Sequence, residues 1–129
     1  MTTLSKPLIA FAAAFGAIAA TGAAIGQAAP APNGETLFRQ RCAMCHANVA
    51  GRTATLGPNL VGLAGRKAGS TPFNYSPALK KSNITWTRAE LDSFLAAPAR
   101  KVPGTRMVIA VTDPAQRAAI VTYLTRPAR

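Results

Sequence analysis

The sequence predicts a small all-α domain of four or five short helices. Three observations carry that expectation. Segments with apolar residues at three- and four-residue intervals begin at helix-capping residues. No stretch shows the strict alternation of a half-buried strand. Long connections separate the helical segments, leaving them too little apolar surface to close a core unaided. The chain has 129 residues, 49% hydrophobic and 15% charged, which suits one globular domain. Multidomain enzymes, repeat arrays and scaffolds stapled by several disulfides are excluded, since there are only two cysteines.

Residues 1–28 are set apart from the domain. Lys6 is the only charge before an uncharged, alanine-rich run from Leu8 to Ile25, and small residues follow at Gly26 and Ala28. This order of basic, apolar and small residues reads as an export signal cleaved after Ala28. An uncleaved membrane anchor is the alternative, because the run approaches the ~20 residues a bilayer needs. Cleavage removes Lys6 alone and leaves 14 basic against 4 acidic groups, a net charge of +10. Residues 29–32, an Ala/Pro tether, then lead into a domain spanning 33–126.

Asn33 caps the first helix, whose apolar side is read as Gly34, Leu37, Phe38, Cys42 and Cys45. Residues 47–74 are rich in glycine and lack periodicity. Ser76-Pro77 then starts a short helix through Lys81, a cap followed by proline at the first helical position. Thr87-Arg88-Ala89-Glu90 reads as a capping box, with Leu91, Phe94 and Leu95 as the buried stripe and Pro98 as the stop. Asp113-Pro114 opens the last helix, with Ala118, Val121, Leu124 and their neighbours inside and Pro127 beyond its end. These short helices need a large, flat, apolar group in their midst.

Cys42-Ala43-Met44-Cys45-His46 supplies the chemistry for one. Two thiols three positions apart can each add across a vinyl group of haem, and the adjacent imidazole can reach its iron; this is the c-type attachment spacing. A redox dithiol would need a βαβ setting. Structural zinc would need four Cys or His ligands, and the chain has three such residues. A plain disulfide would leave the loops without a core. With one histidine, a second axial ligand must be of another type, and methionine is the soft choice. Met44 lies within the attachment loop on the His46 side, which leaves Met107 in Pro103-Gly104-Thr105-Arg106-Met107.

With these residues in place, the chain resembles a class I c-type cytochrome of the mitochondrial cytochrome c and bacterial cytochrome c2 type. Gly57-Pro58-Asn59-Leu60, Gly65-Arg66-Lys67, Asn83-Ile84-Thr85-Trp86 and Pro103–Met107 occur in the family's order. The resemblance implies a class I cytochrome c fold wrapped around one covalently bound haem c, with His46 and Met107 on its iron. It also implies that the Pro58 carbonyl accepts from the His46 ring, that Tyr75 and Trp86 donate to a haem propionate with Arg66 nearby, and that Gly34 and Phe38 pack on Tyr123. Phe94, Ile109 and Leu79 depart from the family's usual tyrosine, phenylalanine and asparagine, and the Gly69–Tyr75 loop is one residue shorter.

The implied function is one-electron transfer rather than enzymatic catalysis. The +10 charge, with Arg41, Arg100 and Arg106 aligned around the family's exposed haem edge, would attract acidic-faced redox proteins such as a terminal oxidase, a bc1-type complex, a reaction centre or a dehydrogenase. Weak contact with an anionic membrane surface is a milder alternative. Nucleic acid is not expected for an exported protein despite a pI near 11.2. A periplasmic monomer is the expected state, with an inner-membrane-anchored protein as the alternative. Two rival functions stay open: a fixed electron-transfer subunit of a larger dehydrogenase or oxidase, and a haem peroxidase or gas-binding protein with a labile Met107.

Overall fold

The computed structural model describes residues 30–53 and 56–127. The leader, which the sequence reads as signal or anchor, and residue 29 of the tether lie outside them. Among the described residues five helices follow in order: α1 (Gly34–Arg41), α2 (Pro77–Lys81), α3 (Arg88–Ala96), α4 (Pro98–Lys101) and α5 (Pro114–Leu124). Among the described residues the strand-like pairing is a single antiparallel bridge, Lys67 to Thr85. No helix among them is long and apolar enough to cross a membrane.

The helix starts follow their caps. Side chains of Asn33, Ser76, Thr87 and Asp113 accept the backbone N–H of Thr36, Leu79, Glu90 and Gln116 respectively, at 2.9–3.2 Å. The capping box at α3 is only half made. Glu90 does not reach back to Thr87 but pairs with Lys101 on α4 at 2.8 Å, a partner that becomes available only when α4 folds beside α3. Pro98 ends α3 as predicted and also begins α4, because proline suits a first helical turn as well as it terminates one.

Two boundary and burial expectations need correction. Cys42 and Cys45 do not lie on the first helix, which ends at Arg41. The Phe38 carbonyl takes both Cys42 N–H (2.8 Å) and Ala43 N–H (3.0 Å), so the regular ladder stops there. Ala118 is exposed, and Ile120 is the deepest residue of α5, flanked by Val121 and Leu124. The face that α5 buries is chosen by its contact with α1 and α3 together, which rotates the stripe away from Ala118.

The core joins Phe38, Leu63, Trp86, Leu91, Phe94, Leu95, Val102, Val111, Ile120, Val121 and Leu124. Its main helical contact is α1 on α5. Gly34 makes that approach close: a Cβ there would stand 2.1 Å from the Ala119 carbonyl oxygen. One turn on, Phe38 packs on Tyr123 with ring centroids 5.4 Å apart. Gly34→Ala should therefore force α1 off α5 and cost about 1–3 kcal/mol, read as a lower denaturant midpoint.

Candidate functional site

The thiols and the imidazole share one tight turn at the end of α1. Cys45 N–H and His46 N–H both donate to the Cys42 carbonyl, at 3.0 and 2.9 Å. This turn brings Cys42, Cys45 and His46 together, and all three are half-buried. The two thiols are not bridged to each other. Burial pushes the Cys42 thiol up to about 11, with the Arg41 charge pulling part of the way back and Cys45 adding slightly to the rise.

His46 is oriented from the facing loop. Its Nδ1 lies 2.8 Å from the Pro58 carbonyl oxygen. A carbonyl can only accept, so Nδ1 carries the proton and Nε2 keeps its lone pair for a metal. The imidazole rests against Gly57, where a Cβ would fall 2.4 Å from the ring's Cε1 and 2.6 Å from Nδ1. Gly57 N–H donates to Cys45 and Leu60 N–H to Ala47, so both sides of the histidine are stitched to residues 57–60. Any side chain at position 57 would displace the ring.

Met107 sits on a separate loop between α4 and α5. It is half-buried and packs against the core, whereas Met44 is 81% exposed. Gly104, in the left-handed region at φ 89°, makes the turn that sends the chain toward Met107. Arg106 donates to the Asn74 carbonyl at 2.6 Å, tying this loop to the one that precedes α2. Beside the methionine, Val108 and Ile109 are exposed at 75% and 54%.

The remaining predicted residues are placed as follows. Trp86 is buried and packs edge-on against Phe94, with centroids 5.1 Å apart. Tyr75 is buried, and its hydroxyl shares a hydrogen bond with Thr71. Arg66 turns its guanidinium to the backbone, donating to Val61 O at 2.9 Å and Asn59 O at 3.1 Å, so it braces the 57–66 loop. Sequence reasoning missed the parts played by Gly57 and by the Asn59 side chain. Both lie within the quoted Gly57–Leu60 run, but only contacts across the fold reveal what they touch.

These residues fit a covalently held haem. The chain offers two unbridged thiols at attachment spacing, an imidazole with its Nε2 free and a half-buried thioether. A surface cavity of about 520 Å³ borders Cys45 and His46, and one of about 730 Å³ lies between Ile84 and Pro103. Met107 lines neither, so the fit rests on the donor set and not on either void. Among the described residues no cluster of His, Cys, Asp and Glu could hold a bare metal ion.

Fold and donor set together define a small all-α protein with a thioether-linked haem. Comparison with known proteins gives the family. The family model for Cytochrome c matches residues 31–126. A cytochrome c from Theileria annulata is 44% identical over 92 residues, covering 70% of this chain and 80% of that protein. A cytochrome c2 from Rhodoplanes tepidamans is 50% identical over 78 residues, covering 60% and 72%. Among solved structures, cytochrome cH from Methylobacterium extorquens superposes with a TM-score of 0.65 at 41% identity, covering 70% of this chain and 92% of that one. The chain belongs to the cytochrome c family: it is a class I c-type cytochrome, an electron carrier with covalently attached haem c and not an enzyme.

Proposed function

We propose that this cytochrome is a mobile periplasmic carrier whose iron is held by His46 and Met107 and whose haem is anchored through Cys42 and Cys45. Bound haem supplies a one-electron couple. The chain's residues keep its coordination closed: His46 is fixed by Pro58 and Gly57, and Met107 is held by a loop tied to Asn74 through Arg106. Two protein ligands leave no position for substrate, and thioether ligation raises the potential by favouring ferrous iron. Pro58, Arg66, Tyr75 and Trp86 complete the site, the last as a propionate donor through its indole N–H. The single observation carrying this reading is the 2.8 Å contact between His46 Nδ1 and the Pro58 oxygen, which leaves Nε2 as the free donor.

The test is an absorption spectrum of the haem-loaded protein, oxidised and reduced, repeated under carbon monoxide. A low-spin spectrum with the weak methionine–iron band, unmoved by the gas, supports the closed carrier. A high-spin or gas-sensitive spectrum would turn the reading to peroxide or gas chemistry, for which Phe94, buried without a hydroxyl, is the motivating feature. N-terminal sequencing of the exported protein separates a cleaved carrier from a fixed or anchored subunit, for which the Leu8–Ile25 run is the motive.

Docking would be electrostatic. Glu35, Glu90 and Asp92 are each paired with a base, and Asp113 caps α5, so all four carboxylates are engaged. Arg41 and Arg100 are exposed. Arg106 also holds Asn74, so reversing it would disturb the loop as well as the charge. The clean variant is Arg41→Glu with Arg100→Glu. It should slow electron transfer to an acidic partner about tenfold or more at low ionic strength and converge on wild type at high salt. A rate unchanged at low salt would remove this docking face.

A further inference from the structure

Gly57 and Pro58 explain where the His46 ring lies, but nothing in them fixes the angle of the accepting carbonyl. That oxygen belongs to the peptide unit joining Pro58 to Asn59, so rotating this plane swings the acceptor away from Nδ1. Among the described residues of 47–66 there is no helix or strand to resist the rotation, and the backbone bonds of Gly57 to Cys45 and of Leu60 to Ala47 hold only the flanks of this peptide. The Asn59 side chain does resist it. Its Nδ2 donates to Val49 O at 2.7 Å and to Arg52 O at 2.8 Å, and its Oδ1 accepts from Val61 N–H at 2.9 Å. The Asn59 carbonyl in turn takes Arg66 Nη2 at 3.1 Å.

We propose that Asn59 is a positioning residue: its amide clamps the Pro58–Asn59 peptide to the segment following His46 and thereby sets the strength of the Nδ1–H···O hydrogen bond. The inference rests on His46 being an iron ligand. Two donors and one acceptor at this reach are what an asparagine amide provides and what aspartate, serine or alanine cannot. Val49 is three residues from His46, so the clamp joins the histidine's own segment to its acceptor. A strong bond to the carbonyl makes the imidazole a more basic ligand, which favours ferric iron. Loosening the clamp weakens that donation and raises the potential.

The experiment uses the haem-loaded protein. In the reduced, diamagnetic state, the solvent exchange of the His46 Nδ1 proton is followed by nitrogen-15 NMR, and the midpoint potential is measured beside it. Asn59→Ala should speed exchange about tenfold, the loss of roughly one hydrogen bond's stabilisation, and raise the potential. Asn59→Asp keeps the size and the acceptor for Val61 but sets a carboxylate against two carbonyls, so its effect should equal or exceed that of alanine. Arg66→Lys, which keeps the charge and the amide, should move exchange the same way by a smaller factor and serves if the Asn59 variants fail to fold. Thr87→Ala, which removes the α3 cap and none of the clamp's hydrogen bonds, should lower stability and leave exchange and potential alone. A protected proton indifferent to the Asn59 and Arg66 changes overturns the clamp alone. A wild-type protein with no protected Nδ1 proton overturns the His46 assignment and the clamp with it.

Discussion

Cells producing a chain with both Cys42→Ala and Cys45→Ala should accumulate almost no folded, haem-bearing protein. The helices alone cannot close a core: α2 and α4 have five and four residues, and the α1–α5 contact is the chief helical packing. Haem therefore acts as core as well as cofactor. Losing its covalent anchor removes stabilisation on the scale of a small domain's whole stability, about 5 kcal/mol or more. Haem-stained gels of whole-cell extract read attachment, and limited proteolysis reads folding. Folded protein at wild-type abundance without attached haem would show that the polypeptide carries its own core. Order of events matters too. Burial holds an unreacted Cys42 thiol near 11, so a chain that folded first would present a poorly nucleophilic thiol. Attachment is best placed before the domain closes.

Met107→Ala should leave haem attached, because Cys42 and Cys45 are untouched, while changing what the iron does. Replacing the thioether by water or an outside ligand should lower the potential by a sizeable part of the ~0.8 V range that axial ligands command. It should also make the reduced protein bind carbon monoxide. Stability should fall as well, because Met107 packs against the core. Spectroelectrochemistry and a carbon monoxide titration check both arms. An unchanged potential together with unchanged gas binding would mean that Met107 is a packing residue and that another group holds the iron. Met44 is a poor replacement, at 81% exposed within the attachment loop.

Much of this was legible before any fold was drawn. The four capping residues predicted four helix starts, since each cap satisfies backbone donors within three residues of itself. Cys42-Ala43-Met44-Cys45-His46 announces attachment chemistry by spacing alone. The partial failures have a common cause. The sequence pattern has Glu90 reaching back to Thr87, a local bond, but Lys101 from the next helix takes it. Periodicity places Ala118 inside, but the two neighbours of α5 select a face centred on Ile120. In each case two local options were close in energy and a partner distant in sequence decided between them.

Interactions that close within a few residues, the caps, the proline starts and the thiol–thiol–imidazole run, depend on chain order and so can be read from it. Which oxygen meets the His46 ring, which backbone leaves room for it and which amide holds that oxygen still depend on segments 10 or more residues apart meeting at hydrogen-bond distance. The His46–Pro58 bond spans 12 residues, and the Asn59–Val49 bond spans 10. Neither belongs to a repeating element whose period would betray it. Loop backbone of this kind takes its shape from the contacts that satisfy its polar groups, and only the assembled fold decides what those contacts are.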